Sequence, residues 1–286
     1  MVAIGGKILT WFNGEWREGN TMIMGAADHA TWLGSMVFDG ARYFDGVMPD
    51  LNLHSQRIIR SAKSMGYDAP VDGDTIEGII REGVVKLAPD ADLYLRPMMW
   101  SLEGDETMLG ADQTSGAYAI CIEEFPMPQA RDFALTVSPY RRPRQDMALT
   151  EAKAACLYPN NGRIVQEARS RGFNNALSMD IDDNVAETSS TNVFMVRDGE
   201  VFTPAPNGTF LNGITRQRTI LLLEADGVKV TETSLQVQDF AEASEIFLTG
   251  NASKITVVTR FEDRQMPSTQ IGTRAKSLYW DYAHSR

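Results

Sequence analysis

Several features are scarce in this 286-residue chain, and each scarcity excludes a class of protein. The two cysteines, Cys121 and Cys156, lie far apart, so neither a disulfide framework nor a metal-binding spacing is visible. Basic residues are outnumbered: 27 Lys and Arg against 38 Asp and Glu give a net charge of -11. This charge disfavours a nucleic acid or an anionic membrane as a partner.

Long apolar runs are also missing. None approaches the ~20 residues of a membrane span, and the first ten residues lack the basic-then-apolar layout of a signal peptide. We therefore expect a cytoplasmic protein that binds neither membranes nor nucleic acids. Its 43% hydrophobic and 23% charged residues are typical of a globular chain with a sizeable core.

Apolar periodicity predicts helices and strands intermixed along the chain, without strict βαβ alternation. The fold class is therefore α/β, or α+β with mixed sheets. The Asn13-Gly14 pair predicts a hairpin turn near the start. Pro126 and Pro128 stand in a polar stretch that suits a connector. We predict a small domain over 1–124, a linker over 125–133 and a larger domain over 134–286.

One lysine stands among small apolar residues, in the sequence TEAKAACLY at 150–158. A lysine in that setting loses hydration, so its amine deprotonates more easily. A neutral amine attacks carbonyl carbons, which is the chemistry of a Schiff-base lysine. Lys153 is thus a candidate catalytic residue, although an ordinary solvated lysine is the commoner outcome for a single lysine.

Polar residues cluster in three later segments, each with two interpretations. Residues 185–192 are either a polar loop or a segment that positions a carboxylate against a ring nitrogen or an amine. Residues 211–216 form either a simple helix cap or a phosphate site at a helix N-terminus. Residues 249–253 form either a strand-end turn or a donor-rich loop. Arg57, on a predicted helix, is by local criteria a surface arginine.

Taken in order, these pieces resemble the class IV aminotransferases, the pyridoxal-phosphate enzymes of fold type IV. The resemblance is greatest to the branched-chain amino acid aminotransferases and covers nearly the whole chain. It rests on seven motifs: VFDGAR (37–42), HSQR (54–57), YLRP (94–97), KAACLY (153–158), ETSSTN (187–192), GITR (213–216) and TGNA (249–252). One such motif is weak evidence, but seven in order are specific.

The resemblance implies a two-domain fold with the site between the domains, the larger C-terminal domain binding pyridoxal 5'-phosphate. Lys153 would bind the cofactor's aldehyde and then move the α-proton. Glu187 would face the pyridine nitrogen, and Tyr158 would hydrogen-bond the 3-oxygen. The phosphate would be held by a further set: Arg57, Ile214, Thr215 and Asn251.

The substrate side implied by the resemblance is a mixed pocket. Phe38 would form an apolar wall, and the turn at Ala252 would supply hydrogen-bond donors. A distal carboxylate would be recognised by Arg42, Tyr94 and Arg96, and the pocket would also be lined or adjoined by Leu33 and Thr188. An ion-pair arginine remains the alternative for Arg96, and core packing is the alternative for Tyr94. The basic run 141–144 is expected to be a solvated loop rather than a carboxylate site.

Four departures from the branched-chain pattern leave the substrate open. Leu33 stands where a tyrosine is usual, residues 155–157 replace Gly-Gly-Asn, Asn251 replaces a threonine, and residues 188–191 replace a glycine-rich run ending in glutamate. The leading hypothesis is transamination between an apolar amino acid and an oxo acid such as 2-oxoglutarate. The alternatives are an (R)-selective amine transaminase, a D-amino acid aminotransferase, an aminodeoxychorismate lyase and a non-catalytic cofactor-binding protein. The resemblance also implies a homodimer.

Overall fold

The computed structural model describes residues 6–129 and 131–285. Within them the chain divides into two compact units. The first contains the residues up to Pro128 together with the short segment Glu151–Cys156. The second runs over Gln129–Thr150 and resumes over Leu157–Arg286. Lys153 therefore belongs to the first unit, whereas the sequence-based division assigned it to 134–286. The predicted domain boundaries at 124 and 134 stay predictions.

The first unit is a mixed layer of one sheet and two long helices. Its elements in chain order are β1 (Ile8–Phe12), β2 (Glu15–Glu18), α1 (His29–Leu33), β3 (Val37–Phe38), β4 (Ala41–Tyr43), α2 (Leu51–Ser64), α3 (Gly73–Leu87), β5 (Leu93–Ser101) and β6 (Gly116–Glu124). The sheet order is β2-β1-β6-β5-β3, and β4 also pairs with β5. Asn13 and Gly14 both have positive φ, at 52° and 84°, as the predicted hairpin turn requires.

Two amphipathic helices cover this sheet. Ile58 of α2 and Ile76 and Ile80 of α3 are fully buried against Leu95 and Ile122 of the central strands. Burial of such side chains stabilises the fold by roughly 1.5–3 kcal/mol each. The sheet is therefore a rigid support for the side chains on its strand ends and on α2.

The second unit contains two five-stranded sheets and four helices among the described residues. Its elements are β7 (Ala134–Val137), α4 (Tyr158–Ser170), β8 (Asn175–Met179), β9 (Val185–Thr188), β10 (Asn192–Arg197), β11 (Glu200–Pro204), α5 (Ile214–Ala225), β12 (Val230–Thr233), α6 (Val237–Glu242), β13 (Glu245–Gly250), β14 (Lys254–Val258), β15 (Arg260–Phe261), β16 (Arg264–Gln265) and α7 (Gln270–His284). The sheet orders are β12-β11-β10-β13-β14 and β16-β15-β7-β8-β9.

Strand β10 shows how this unit builds two cores. Successive strand residues face opposite sides of a sheet. Val193 and Met195 pack with the apolar residues of the other sheet, while Phe194 stacks on Phe247 at 4.8 Å and packs with Tyr279 of α7. Both faces of β10 are therefore apolar, and polar side chains are displaced to the strand ends. Across the described residues, no helix combines the length and apolarity needed to cross a bilayer.

Candidate active site

The Lys153 backbone is fixed within the first unit. Its carbonyl accepts a hydrogen bond from the Phe38 N–H at 3.1 Å, and its own N–H donates to Oγ of Ser61 at 3.1 Å. Two residues further on, the Ala155 N–H donates to the Met36 carbonyl at 2.9 Å. These bonds join the lysine segment to strand β3 and helix α2, so the side chain leaves from a fixed position.

The Lys153 side chain lies in partly apolar surroundings. Its neighbours Ala152 and Ala154 are buried, and Lys153 itself is half-buried. The Nζ atom lies 4.8 Å from the centroid of the Phe38 ring, within cation–π distance. The amine is thus close to an apolar surface, as the small residues around it in the sequence suggested.

A buried carboxylate organises the adjoining helix face. Asp39 is fully buried and receives Nε and Nη2 of Arg57 at 2.7 and 2.8 Å, and Nδ1 of His54 lies 2.7 Å away. Burial alone would raise the pKa of Asp39, but Arg57 and His54 lower that pKa well below its usual range. The surface-arginine interpretation of Arg57 is wrong, because the side chain is buried and bidentate. Its guanidinium is consequently held in one orientation.

Tyr94 and Arg96 lie on the same face of β5, two residues apart, and Arg42 stands opposite Tyr94 in the register. The Arg96 guanidinium carbon lies 5.1 Å from the Tyr94 ring centroid, and Nη2 lies 3.1 Å from Glu123 Oε2. Arg96 is thus in an ion pair, but its side chain is 34% exposed and is not the buried ion-pair arginine of the alternative. The sheet nevertheless brings together all three residues that the sequence assigned to carboxylate recognition.

Arg42 is the unusual member of this group. It is fully buried, its Nη2 donates to the Phe125 carbonyl at 2.5 Å, and its guanidinium packs on the Phe125 ring. Its Nε and Nη1 atoms are buried without a hydrogen-bond partner in the described part of the chain. Burial lowers the pKa of Arg42 to about 10, although Asp92 opposes this. Two buried donors without acceptors mark a place where an anionic ligand would be stabilised.

A pocket of about 600 Å³ lies within the first unit but is not lined by the predicted site residues. Its lining includes Met24, Thr31, Gly34 and Cys156. Leu33 closes helix α1 beside it and is half-buried. The predicted role of Leu33 in substrate binding stays a prediction.

In the second unit, Glu187 is buried on β9 and paired with Arg142, a member of the basic run that the sequence predicted to be in solvent. Arg142 places Nη2 3.1 Å from Glu187 Oε1, and the two side chains are 6% and 7% exposed. Arg142 also donates to Asn161, one turn along the helix that Tyr158 begins. The solvated-loop prediction is wrong for Arg142, because a buried carboxylate requires a counter-ion. It is correct for Arg141, which is exposed and pairs with Asp183.

Residues 185–192 are not the polar loop that the sequence permitted. Val185–Thr188 form the buried strand β9, followed by a tight turn into β10. The hydroxyls satisfy one another: Thr188 Oγ1 lies 2.6 Å from Thr191 Oγ1, and the Thr188 N–H donates to the Thr191 carbonyl at 2.9 Å. Thr188 is fully buried with its hydroxyl engaged, so its predicted contact with a substrate stays a prediction.

Helix α5 begins at Ile214 without a side-chain cap. Its N-cap is Gly213, whose N–H donates to Asn192 Oδ1 at 3.2 Å. A Cβ atom at position 213 would lie 2.3 Å from that oxygen, so the close approach requires glycine. The first N–H groups of a helix have no partners inside it. Ile214 and Thr215 therefore offer N–H groups at the positive end of the helix dipole.

Two further buried donors lie at the neighbouring strand end, where Thr249 stands opposite Asn192. Thr249 Oγ1 and Asn251 Nδ2 are buried and have no hydrogen-bond partner among the residues described. Ala252, the next residue in the turn, is exposed. Unpartnered donors beside a helix N-terminus fit a phosphate group. The second unit thus has the anion-binding chemistry that a phosphorylated cofactor needs.

Comparison with known proteins assigns the chain to a family. The family model described as amino-transferase class IV matches residues 36–261. A crystal structure of an aminotransferase from Brucella abortus bound to the cofactor PLP superposes with a TM-score of 0.96 at 51% identity, over 98% of this chain and 100% of that one. The branched-chain amino acid aminotransferase of Escherichia coli superposes with a TM-score of 0.88 at 26% identity, over 97% and 95% of the two chains.

Curated relatives agree with this assignment. A putative branched-chain-amino-acid aminotransferase of Methanocaldococcus jannaschii is 30% identical over 273 residues, which are 94% of this chain and 93% of the relative. The chain belongs to the class IV aminotransferase family and has the fold type IV architecture. It is a pyridoxal-phosphate-dependent enzyme that catalyses transamination, as the resemblance implied.

Proposed function

We propose that the enzyme transfers the amino group of a branched-chain or similar apolar amino acid to an oxo acid such as 2-oxoglutarate. The observation that carries this proposal is Arg42, a buried cation with two N–H groups that lack acceptors among the described residues. Nε and Nη1 lie on different edges of the guanidinium, so a distal carboxylate of an oxo acid would accept a charge-assisted hydrogen bond from one of them. The relatives named branched-chain-amino-acid aminotransferases support the same substrates.

Within this proposal, each cofactor-facing residue has one task. When bound, pyridoxal phosphate supplies an electron sink for the electron pair left after proton removal. Lys153 would hold the cofactor's aldehyde through its amine, and the same amine would carry the proton removed from the substrate Cα. Glu187, which pairs with Arg142 at 3.1 Å, would face the pyridine nitrogen. Tyr158 donates to the 3-oxygen.

The phosphate is assigned to a separate set of donors. These are the guanidinium of Arg57, fixed by Asp39, the N–H groups at the start of α5, and the side-chain amide of Asn251. Their positive character is local, so a chain with a net charge of -11 can still bind an anion.

The substrate side is assigned by chemistry in the same way. Phe38 and Leu33 form an apolar wall for the donor side chain. Arg42, with Tyr94 and Arg96, receives the distal carboxylate, and N–H groups of the turn at Ala252 receive the α-carboxylate. Thr188 of β9 is assigned to the same pocket.

One observation favours a second candidate, an (R)-selective amine transaminase or a D-amino acid aminotransferase. Arg96 already pairs with Glu123 at 3.1 Å, which weakens its attraction for a substrate carboxylate. Leu33, in place of the usual tyrosine, alters the same side of the pocket. No comparable observation favours a lyase or a non-catalytic protein.

A panel of amino donors separates the candidates: L-leucine, D-alanine and (R)-1-phenylethylamine, each with 2-oxoglutarate and with pyruvate. The proposal predicts the highest kcat/KM for L-leucine with 2-oxoglutarate. Arg42→Gln should raise the KM for 2-oxoglutarate by about tenfold, the effect of one hydrogen-bonded charge pair. The KM for pyruvate, which lacks a distal carboxylate, should not change. Preference for (R)-1-phenylethylamine or D-alanine would refute the branched-chain assignment.

Two broader assignments remain proposals. A homodimer is supported by the family resemblance, and light scattering during size-exclusion chromatography tests it directly. A cytoplasmic location is supported by two cysteines that form no disulfide in the structure. Imaging of a fluorescently tagged chain in its own cell tests that location.

A further inference from the structure

A buried lysine next to the proposed phosphate donors has no assigned role. Lys254 begins β14 and is 0% exposed. Its Nζ donates to Asn251 Oδ1 at 2.8 Å and lies 5.6 Å from the Tyr279 ring centroid. Lysine is rarely buried completely, because removing its charge from water is costly. A fully buried lysine beside a polar strand end therefore calls for an explanation.

The backbone at this position adds a second observation. Lys254 has a φ of 59°, in the left-handed region that favours glycine. It closes a three-residue connection between β13 and β14, where it pairs with Gly250. Hairpins of that length normally place glycine at the left-handed residue. This chain instead keeps a lysine there, at a cost in backbone strain.

The chemistry of the ammonium determines how Asn251 is oriented. An ammonium has three donors and no acceptor, so the oxygen of the amide must face it. The amide nitrogen must then point the opposite way. That nitrogen, Asn251 Nδ2, is buried and has no acceptor among the described residues. Thr249 Oγ1, two residues earlier at the same strand end, is likewise buried without a hydrogen-bond partner among the described residues.

We propose that Lys254 is a positioning residue for the phosphate site: its ammonium fixes the Asn251 amide so that Nδ2 donates to the cofactor phosphate. This inference rests on the phosphate role proposed for Asn251. The buried charge also adds to the attraction of the site for a dianion. Lys254 and Asn251 together would thus replace the hydroxyl donor of the threonine that the branched-chain pattern has at position 251.

The test compares two ligands that differ only in the phosphate. Apoenzyme is titrated with pyridoxal 5'-phosphate and with pyridoxal, and binding is followed by visible absorbance. Lys254→Met should weaken pyridoxal 5'-phosphate by about tenfold, the loss of one hydrogen bond to a charged group, and leave pyridoxal unchanged. Lys276→Met is the matched control: it removes a lysine near Trp280 on α7 and should change neither affinity.

A double variant tests whether Lys254 acts through Asn251. In an Asn251→Ala background there is no amide to orient, so Lys254→Met should add little further loss. If the methionine variant does not fold, Lys254→Gln replaces it; its neutral amide donates a weaker bond, and a smaller selective loss is expected. Equal affinity of a folded Lys254 variant and wild type, or equal losses for both ligands, would overturn the inference.

This outcome is distinct from failure of the proposed function. If wild type bound neither ligand, or if Lys153→Ala kept the visible band, the assignment of the cofactor residues would fail. A wild type that binds both ligands, with Lys254 variants that do not discriminate between them, would refute only the positioning role.

Discussion

Arg142 is the counter-ion of the buried Glu187 carboxylate in the second unit. Its pairing with Glu187 joins residues 45 positions apart in the chain, and both side chains are buried. No local pattern predicts such a pair, because Arg141, Arg142 and Arg144 look alike in sequence. Only the fold decides which of them enters the interior and which stay in solvent.

We predict that Arg142→Gln destabilises the protein by about 3 kcal/mol, because it leaves a buried carboxylate without its counter-ion. The neighbouring Arg141→Gln removes an exposed pair and should change the free energy of unfolding by less than about 1 kcal/mol. Urea unfolding of the two variants measures the difference. Equal effects would contradict a buried role for Arg142.

Asp39 predicts a pH dependence of stability. Its pKa in the folded protein is lowered, so the unfolded chain binds a proton more readily. The stabilisation is complete above the usual carboxyl pKa of about 4 and is lost as the pH falls below it. Asp39→Asn should therefore be less stable at pH 7 and should lose less stability than wild type between pH 6 and 3.

The measurement is the free energy of unfolding of both proteins at several pH values. The exposed carboxyls with lowered pKa, such as Asp72 and Asp226, are common to both proteins and cancel in the difference. If the free energy of unfolding fell equally with pH in wild type and Asp39→Asn, the buried pair of Asp39 with Arg57 would contribute nothing to the loss of stability in acid.

At the scale of elements, the sequence predicted the long amphipathic helices well. Apolar residues recur at helical spacing over 53–65 and over 74–86, which predicts two helices. The structure has helices at Leu51–Ser64 and Gly73–Leu87. Strand β9 escaped prediction because its polar residues are satisfied by Thr191 in the following turn and by Arg142, and not by solvent. Buried polar strands have no apolar periodicity that a sequence reader can detect.

The start of α5 predicts the effect of a single added carbon. Gly213→Ala places a Cβ 2.3 Å from Asn192 Oδ1, so either the loop or the asparagine must move. We expect a loss of roughly 1–3 kcal/mol in stability and weaker binding of pyridoxal phosphate. Gly162→Ala, inside α4 with open space around its Cβ, should be neutral or stabilising. Calorimetry compares the stability of the two variants, and absorbance titration compares their affinity for pyridoxal phosphate. Unchanged affinity in Gly213→Ala would contradict the assignment of the phosphate to the start of α5.

At the scale of the whole molecule, the class of enzyme was predictable because seven short motifs occur in a fixed order. The fold type and the cofactor followed from that order and are confirmed by the comparisons. What the sequence could not provide is how side chains pair across the fold: Asp39 with Arg57, Arg142 with Glu187, and Lys254 with Asn251. The first two pairs depend on where separate elements bring their polar ends, and the third depends on the turn that joins β13 to β14.

The central claim is that the amine of Lys153 binds the cofactor. The most direct test is the visible absorbance spectrum of wild type, Lys153→Ala and the exposed-lysine control Lys86→Ala, each incubated with pyridoxal phosphate and dialysed. We predict yellow protein for wild type and Lys86→Ala, and no visible band for Lys153→Ala. A folded Lys153→Ala protein that keeps the yellow band and still transfers amino groups would contradict the account.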